Sequence, residues 1–465
     1  MREDSPARQR KSPKQEPKSL IAPRDATPVG LSCNAPLQNI YISFTHIFSG
    51  IPFAKLFPPL MLRRDFLSAS TALWAGSFLA QAAQAAQAAQ PEPTTETIQP
   101  LSVAALGHTG RGNYGHGLDT LWLTLPQTKV AAVSDPDPAG LAASQKRFSD
   151  AKPFRDYRRM LEEIRPDIAA ICPRHVDQHH AMILAAVETG VRGIYIEKPF
   201  VRTPAEADDV VRLCTEHGVR LAIAHRNRYH PALPVLADLL GNGEFGTPLE
   251  IRARGKEDKR GGALDLWILG SHVLNLGVFF AGKPLACSAA IFLQGTFATA
   301  QKIEDGPEGV GPILGDEVHA RFETEKGIPL FFDSKKDASE RSAGFGLQII
   351  CTGGVIDLRM DAEPMIQVLK GNPFKPASDS RAWVPITSGG VGVPEPLPNI
   401  RALVAGHQQP ALDLISCMES GKQPLCGPED GRTVIEMIHS IFASHTQKSA
   451  RIPLPLTKRS HALSS

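Results

Sequence analysis

From Leu101 onward, short apolar runs alternate with stretches of helical period, the pattern that a parallel sheet covered on both faces requires. Val103 to Leu106 reads as a first strand and Val130 to Val133 as a second. Ile168 to Cys172, Gly193 to Ile196 and Leu221 to Ala224 read as the next three. Helix-like segments fall between them at about 137 to 149, 154 to 165 and 177 to 190. A further helix has both ends spelled out: Thr203 as N-cap, Pro204 in the first turn, Glu206 to close a capping box, and Gly218 past the last turn. Strand, helix, strand at this pace predicts an α/β fold, a doubly wound parallel sheet of the Rossmann type.

Glycines crowd the first crossover, at Gly107, Gly110, Gly112, Gly115 and Gly117. Gly110-x-Gly112-x-x-Gly115 fits the dinucleotide fingerprint, while Gly107 follows the strand directly. We take Gly107, Gly110 and Gly112 as the phosphate turn, with the positive end of a following helix beside it. The second strand ends at Asp135, 23 residues beyond Gly112, where a carboxylate would accept the ribose hydroxyls. An acid there repels a 2′-phosphate, so NAD is expected rather than NADP. The fourth run, Ile194-Tyr195-Ile196, stops on Glu197-Lys198-Pro199, which sets one lysine where such a sheet opens its ligand crevice.

The first hundred residues belong to no such pattern. Arg63-Arg64-Asp65-Phe66-Leu67 opens an apolar stretch that is too short and too rich in Ala, Ser and Gly to span a bilayer permanently. It reads as a twin-arginine export signal cleaved near Ala82–Ala89, with a periplasmic destination; residues 1–60 read as an over-extended start or a disordered tail. Those 60 residues hold eight Lys/Arg and four Asp/Glu, which accounts for the chain's net +2 and leaves the body near neutral. A near-neutral body argues against a nucleic-acid partner. Residues 61–98 form the signal and a Gln/Ala/Pro linker; ordered structure is expected from Gln99, with a nucleotide domain over 99–225, a second domain over 226–455 and a tail over 456–465. The seven cysteines include no C-x-x-C pair; Cys417 and Cys426 are expected as buried free thiols, the alternative being a pair formed in an oxidising periplasm. His175, His179 and His180 include an i, i+4 pair without an acidic or cysteine partner, so no metal is expected.

In this order, the strand, the glycine turn, Asp135 and Glu197-Lys198-Pro199 resemble the glucose-fructose oxidoreductase, inositol dehydrogenase and rhizopine-catabolism family, Gfo/Idh/MocA. The resemblance runs from about residue 100 to 455. It implies a C-terminal α+β domain with an open, mostly antiparallel sheet that carries the substrate pocket and an interface for a homo-oligomer. Cys172-Pro173-Arg174-His175 is similar to the family's turn below the nicotinamide, which implies cofactor contacts from Pro173 and His175 beside those of Glu197 and Lys198. Arg226-Asn227-Arg228 resembles the hinge that reaches substrate in relatives; the alternative is a charged interdomain linker. Gly261 to Asp265 and Gly270-Ser271-His272 match a late segment that in many relatives reads Asp-x-Gly-x-His-x-x-Asp, with Ile268 and Asn275 here replacing the two acids.

The implied activity is NAD-dependent hydride transfer to or from a sugar, polyol or glycoside. Oxidising an alcohol needs a group to take the hydroxyl proton, and a partly desolvated Lys198 can do so near neutrality. His272 is the expected proton-transfer partner, alone or with a carboxylate borrowed from Asp265, seven residues and about two helical turns back. Two rivals stay open: a glycoside hydrolase that uses the same cofactor through transient oxidation and elimination, and a non-catalytic sugar or nucleotide sensor. Export would require the cofactor to be carried inside the folded protein.

Overall fold

The computed structural model describes residues 99–338, 345–378 and 380–464. The signal at Arg63-Arg64, its cleavage region and Cys33 lie outside the described residues. Six strands make one parallel sheet: β1 (Leu101–Leu106), β2 (Thr128–Ser134), β3 (Lys152–Phe154), β4 (Ile168–Ile171), β5 (Gly193–Ile196) and β6 (Arg220–Ile223). Their order, β3-β2-β1-β4-β5-β6, is that of a dinucleotide-binding doubly wound sheet. Three-residue β3 was not among the expected strands, being too short to show a period. Within β1, Ala104 and Leu106 enter one apolar cluster while Val103 and Ala105 enter another with Trp122 and Leu414, so both faces of the sheet are dry.

The crossovers carry α1 (Pro138–Arg147), α2 (Tyr157–Ile164), α3 (His179–Glu188) and α4 (Pro204–Glu216). At the start of α4, Thr203 Oγ1 accepts from the Glu206 amide at 3.1 Å, and the Glu206 carboxylate reaches back to the Arg202 amide at 2.8 Å, one residue before the cap. One expectation fails: no helix follows the glycine turn. Residues 109–120 run mostly in turns and end in a single 3-10 segment, Leu121–Thr124. Each glycine costs a helix about 1 kcal/mol relative to alanine, and Leu118 and Trp122, both fully buried, fix the irregular path instead.

The second lobe contains α5 (Ala232–Gly241), β7 (Pro248–Arg254), α6 (Ser271–Ala281), β8 (Pro284–Leu293), β9 (Glu317–Thr324), β10 (Leu330–Lys335), β11 (Gly346–Cys351), β12 (Gly354–Arg359), β13 (Ile366–Lys370) and β14 (Trp383–Thr387). The sheet order is β14-β13-β12-β11-β7-β10-β9-β8, and among the described pairs only β7 with β10 is parallel. Val318, Ala320 and Phe322 of β9 point inward while His319 and Arg321 point out, the period of a sheet covered on one face. The helical stretch Ala263–Ala281, long and apolar enough to cross a membrane, is a mostly buried core element here. Finally α7 (Gln408–Ser420) returns to β5 and β6, and α8 (Pro428–Thr446) packs between α4 and β8. Beyond it, Arg459 binds Asp208 at 2.7 Å and Leu463 is buried.

Several histidines are buried in this body. Burial holds His225 and His439 down to about 3, and His407 and His461 to about 4. Below about pH 6.5 the unfolded chain protonates these rings and the folded chain does not. Their contribution is therefore intact above that value and is lost as pH falls toward the folded values, by about 1.4 kcal/mol per pH unit for each ring. Thermal melts are expected to show a clearly lower melting temperature at about pH 5 than at about pH 7; equal values would refute this.

Candidate active site

Where β5 ends, the chain delivers Glu197 and Lys198 to the carboxyl edge of the sheet. Lys198 is 6% exposed, and its Nζ donates to the Ile268 carbonyl at 2.9 Å. That carbonyl belongs to a π-helical segment, Leu266–Gly270, that leads into α6. At the position where an acid was expected from the resemblance, a backbone oxygen holds the amine. Burial lowers the Lys198 ammonium below its ordinary value, with the Glu197 charge opposing.

Glu197 is buried, one oxygen accepting from the Lys198 amide at 2.8 Å and the other paired with His116 Nδ1. Burial alone would raise this carboxyl, but the His116 hydrogen bond and the Lys198 charge outweigh it and bring it to about 2. His272 stands in the first turn of α6, edge-on to His225, with 3.4 Å between the two Nδ1 atoms. Burial first, then the charge of Lys198, pushes both rings below their ordinary value. Two neutral imidazoles can share one Nδ1 proton, and that bond sets the tautomer of each.

Lys198, Glu197, His272, Arg226 and Asn227 line one pocket between the lobes, ≈ 730 Å³ and open to solvent. His116, Lys256, Arg260, Phe345, Asp361 and His407 also line it. Arg226 is held by Asp361 at 2.9 Å, and His407 Nδ1 pairs with the Tyr195 hydroxyl at 2.7 Å. Lys256 and Arg260 bound a charged run, Lys256-Glu257-Asp258-Lys259-Arg260, just before Gly261. His116 sat unread inside the glycine turn, His225 directly after β6, and His407 in a loop with no local signature.

Two expected substrate contacts are corrected. Arg228 lies away from the pocket, its guanidinium 3.5 Å from the centre of the Phe279 ring. Asp265 is fully buried and accepts from Ser334 Oγ at 2.7 Å and the Glu257 amide at 3.0 Å. The π-helical segment between Asp265 and His272 adds a residue to the turn, which rotates the two apart by about a quarter turn.

The nucleotide end of the crevice departs from expectation as well. Asp135 stands just after β2 as predicted, but it is fully buried and accepts from Thr109 Oγ1 at 2.7 Å, the Thr109 amide at 3.1 Å and the Asp137 amide at 3.0 Å. The ring of Tyr114 covers Gly107, so close that a β-carbon there would lie 2.2 Å from it. Its hydroxyl pairs with Ser144 Oγ at 2.5 Å, and Arg147 sits 4.8 Å over its ring. Gly112 packs against the backbone of Arg174 and His175, while the Pro173 carbonyl accepts from His179 at 2.7 Å. The carboxylate, the glycine turn and the buried lysine suit a dinucleotide in kind. In this conformation the Tyr114 ring lies over Gly107, and Thr109 takes up the Asp135 carboxylate.

Comparison with known proteins agrees with this architecture. Residues 104–225 match the family model described as an oxidoreductase family, NAD-binding Rossmann fold, Gfo/Idh/MocA. The chain is 22% identical over 366 residues to the D-apiose dehydrogenase of Paraburkholderia graminis, covering 76% of this chain and 89% of that one. A levoglucosan dehydrogenase solved with NADH superposes with a TM-score of 0.61 at 18% identity, over 77% of this chain and 100% of the other. The WlbA dehydrogenase of Bordetella pertussis, solved with NADH and UDP-GlcNAcA, gives 0.58 at 15% identity, over 77% and 99%. At these identities the structural likenesses speak for the fold.

Proposed function

We propose that the chain is an NAD-binding oxidoreductase of the Gfo/Idh/MocA family and that its interlobe pocket moves hydride between NAD and a secondary hydroxyl of a sugar, polyol or glycoside. The observation that carries this reading is Lys198: a buried amine of lowered proton affinity that shares a pocket with His272. The bound dinucleotide supplies the hydride acceptor or donor. Lys198, in its neutral form, takes the hydroxyl proton as the alcohol is oxidised and returns it in the reverse direction. His272, kept neutral beside Lys198, is a poor base and a good fixed hydrogen-bond partner for the same oxygen. Arg226, Asn227, Lys256 and Asp361 offer the several polar contacts that a substrate rich in hydroxyls needs. The sugar activity named for the D-apiose dehydrogenase supports that class.

The test is a panel of sugars, polyols and glycosides offered to the full protein, with and without added NAD. Reduced nicotinamide is followed by its near-ultraviolet absorbance. Reduction by at least one carbohydrate is expected; none across the panel would favour a sensor. Under the export expected from Arg63-Arg64, the dinucleotide travels within the folded chain. Reduction without added NAD is then expected for the exported form.

A further inference from the structure

We propose that the carboxyl-terminal tail, residues 456–464, is a positioning element for Lys198: the ring of His461 wedges Trp267 and so holds the Ile268 carbonyl where it grips the lysine amine. The effect on turnover rests on the oxidoreductase reading, while the effect on the amine does not.

The link runs through the π-helical segment. Such segments are short and rare, and they gather at functional sites because the widened turn leaves the regular hydrogen-bond ladder. Within Leu266–Gly270, the Ile268 carbonyl accepts from the Lys198 amine at 2.9 Å. A turn of this kind has to be held by its neighbours. At its carboxyl end Gly270 lies against the Phe332 ring of β10, where a β-carbon would come within 2.8 Å. Near its amino end the fully buried indole of Trp267, one residue before the gripping carbonyl, is packed by two rings. His439 of α8 meets it edge-on at 5.6 Å between ring centres, and His461 is stacked on it at 6.3 Å with 19° between the planes.

The tail is tied so that His461 stays there. Its ring also stacks on Phe442 of α8 at 6.2 Å and meets His439 edge-on at 4.6 Å. The Ala462 amide donates to His439 Nδ1 at 3.0 Å, and the Leu463 amide to His461 Nδ1 at 3.2 Å. Upstream, the Arg459 guanidinium binds Asp208 of α4 at 2.7 Å and pairs with Glu436 of α8, while its carbonyl accepts from the Ala205 amide at 2.9 Å. Chain ends are loose unless tied down. This one is fastened to two helices and buries a ring against the segment that holds the lysine.

Removing the wedge has a consequence with a definite sign. Without the His461 ring, Trp267 loses one packed face, the Ile268 carbonyl draws away from the amine, and Lys198 swings into a pocket open to solvent. Burial is the first cause of its lowered proton affinity, so water returned to the amine raises that affinity toward the ordinary value. An amine displaced from its place also meets the substrate oxygen less often in a productive geometry.

The experiment compares the full protein with His461→Ala and His461→Phe, each carrying isotope-labelled lysine. The Lys198 signal, assigned by its absence in Lys198→Met, is followed through a pH titration by NMR. In His461→Ala the titration is expected to move up toward the ordinary lysine value of about 10.4. For a carbohydrate that the wild type oxidises, kcat is expected to fall about tenfold with little change in KM. His461→Phe keeps a flat ring against Trp267 and is expected to restore both. Thermal melts report folding; should His461→Ala not fold, Arg459→Gln, which loosens the tail and leaves every core ring in place, is expected to shift the titration the same way by less. A Lys198 titration unchanged in whichever of these variants folds, or moved as far by His461→Phe as by His461→Ala, overturns the proposal. A titration that moves as expected in a protein that reduces NAD with no carbohydrate would sink the oxidoreductase reading and leave the role of the tail standing.

Discussion

A Lys198→Met variant is expected to lose about three orders of magnitude in turnover while melting no lower than wild type. The two halves of that expectation have one cause. Lys198 carries an amine into a pocket wall where it is 6% exposed, held by the Ile268 carbonyl and the charge of Glu197. Burying an ammonium is costly, and an apolar side chain of similar length removes that cost without opening a cavity. Glu197 keeps its bonds to His116 and to the amide of residue 198. What disappears is a pocket lysine whose proton affinity is lowered by burial. In the wild type, alcohol oxidation is expected to rise with pH through the depressed Lys198 value, with its midpoint below the ordinary lysine value of about 10.4. Kinetics across pH together with a thermal melt check both points; a variant retaining more than about a tenth of wild-type turnover would remove Lys198 from the chemistry.

The second expectation concerns Tyr114, whose ring lies over the glycine turn. Tyr114→Ala is expected to bind NAD about thirtyfold more tightly than wild type. The Tyr114 ring against Gly107, its hydroxyl on Ser144 and the guanidinium of Arg147 above it must all be given up before a nucleotide can lie along the glycine turn. Together these contacts are worth about 2 kcal/mol. A closed state favoured by that much weakens apparent affinity in proportion, at about 1.4 kcal/mol for each tenfold. Rotation of the side chain alone would clear Gly107, because the blocking atoms belong to the ring, and Gly115 and His116 can stay on Cys172 and Glu197. Calorimetric titration of both proteins with NAD decides it. Equal or weaker binding by Tyr114→Ala would mean that the ring is part of the nucleotide site rather than an obstacle to it.

The parallel sheet was legible because its cause is local. A strand buried on both faces must be apolar at every position, and β4 and β5 are, so period and boundaries could be read off the chain. Glu197, Lys198 and Asp135 were legible for a related reason: in a doubly wound sheet, function collects at strand ends, and strand ends are visible. Reading failed where the backbone left regular geometry. Asp265 and His272 share a face on an ideal helix, and the π-helical segment between them ends that relation. Glycines between Gly107 and Gly117 fitted a phosphate turn, yet with no helix behind them they let Thr109 close on Asp135, Tyr114 on Gly107 and His116 on Glu197.

By itself, then, the sequence determined the layers, the strand ends and the identity of the buried lysine, since each follows from hydrophobic period and turn chemistry within a few residues. Tertiary structure alone decided which charges meet. His407 approaches Tyr195 across 212 positions and Asp361 reaches Arg226 across 135. Whether a carboxylate faces a ribose or a threonine, and whether a histidine is a base or a packed ring, depends on those distant neighbours. No local pattern encodes the desolvation and the partner that they provide.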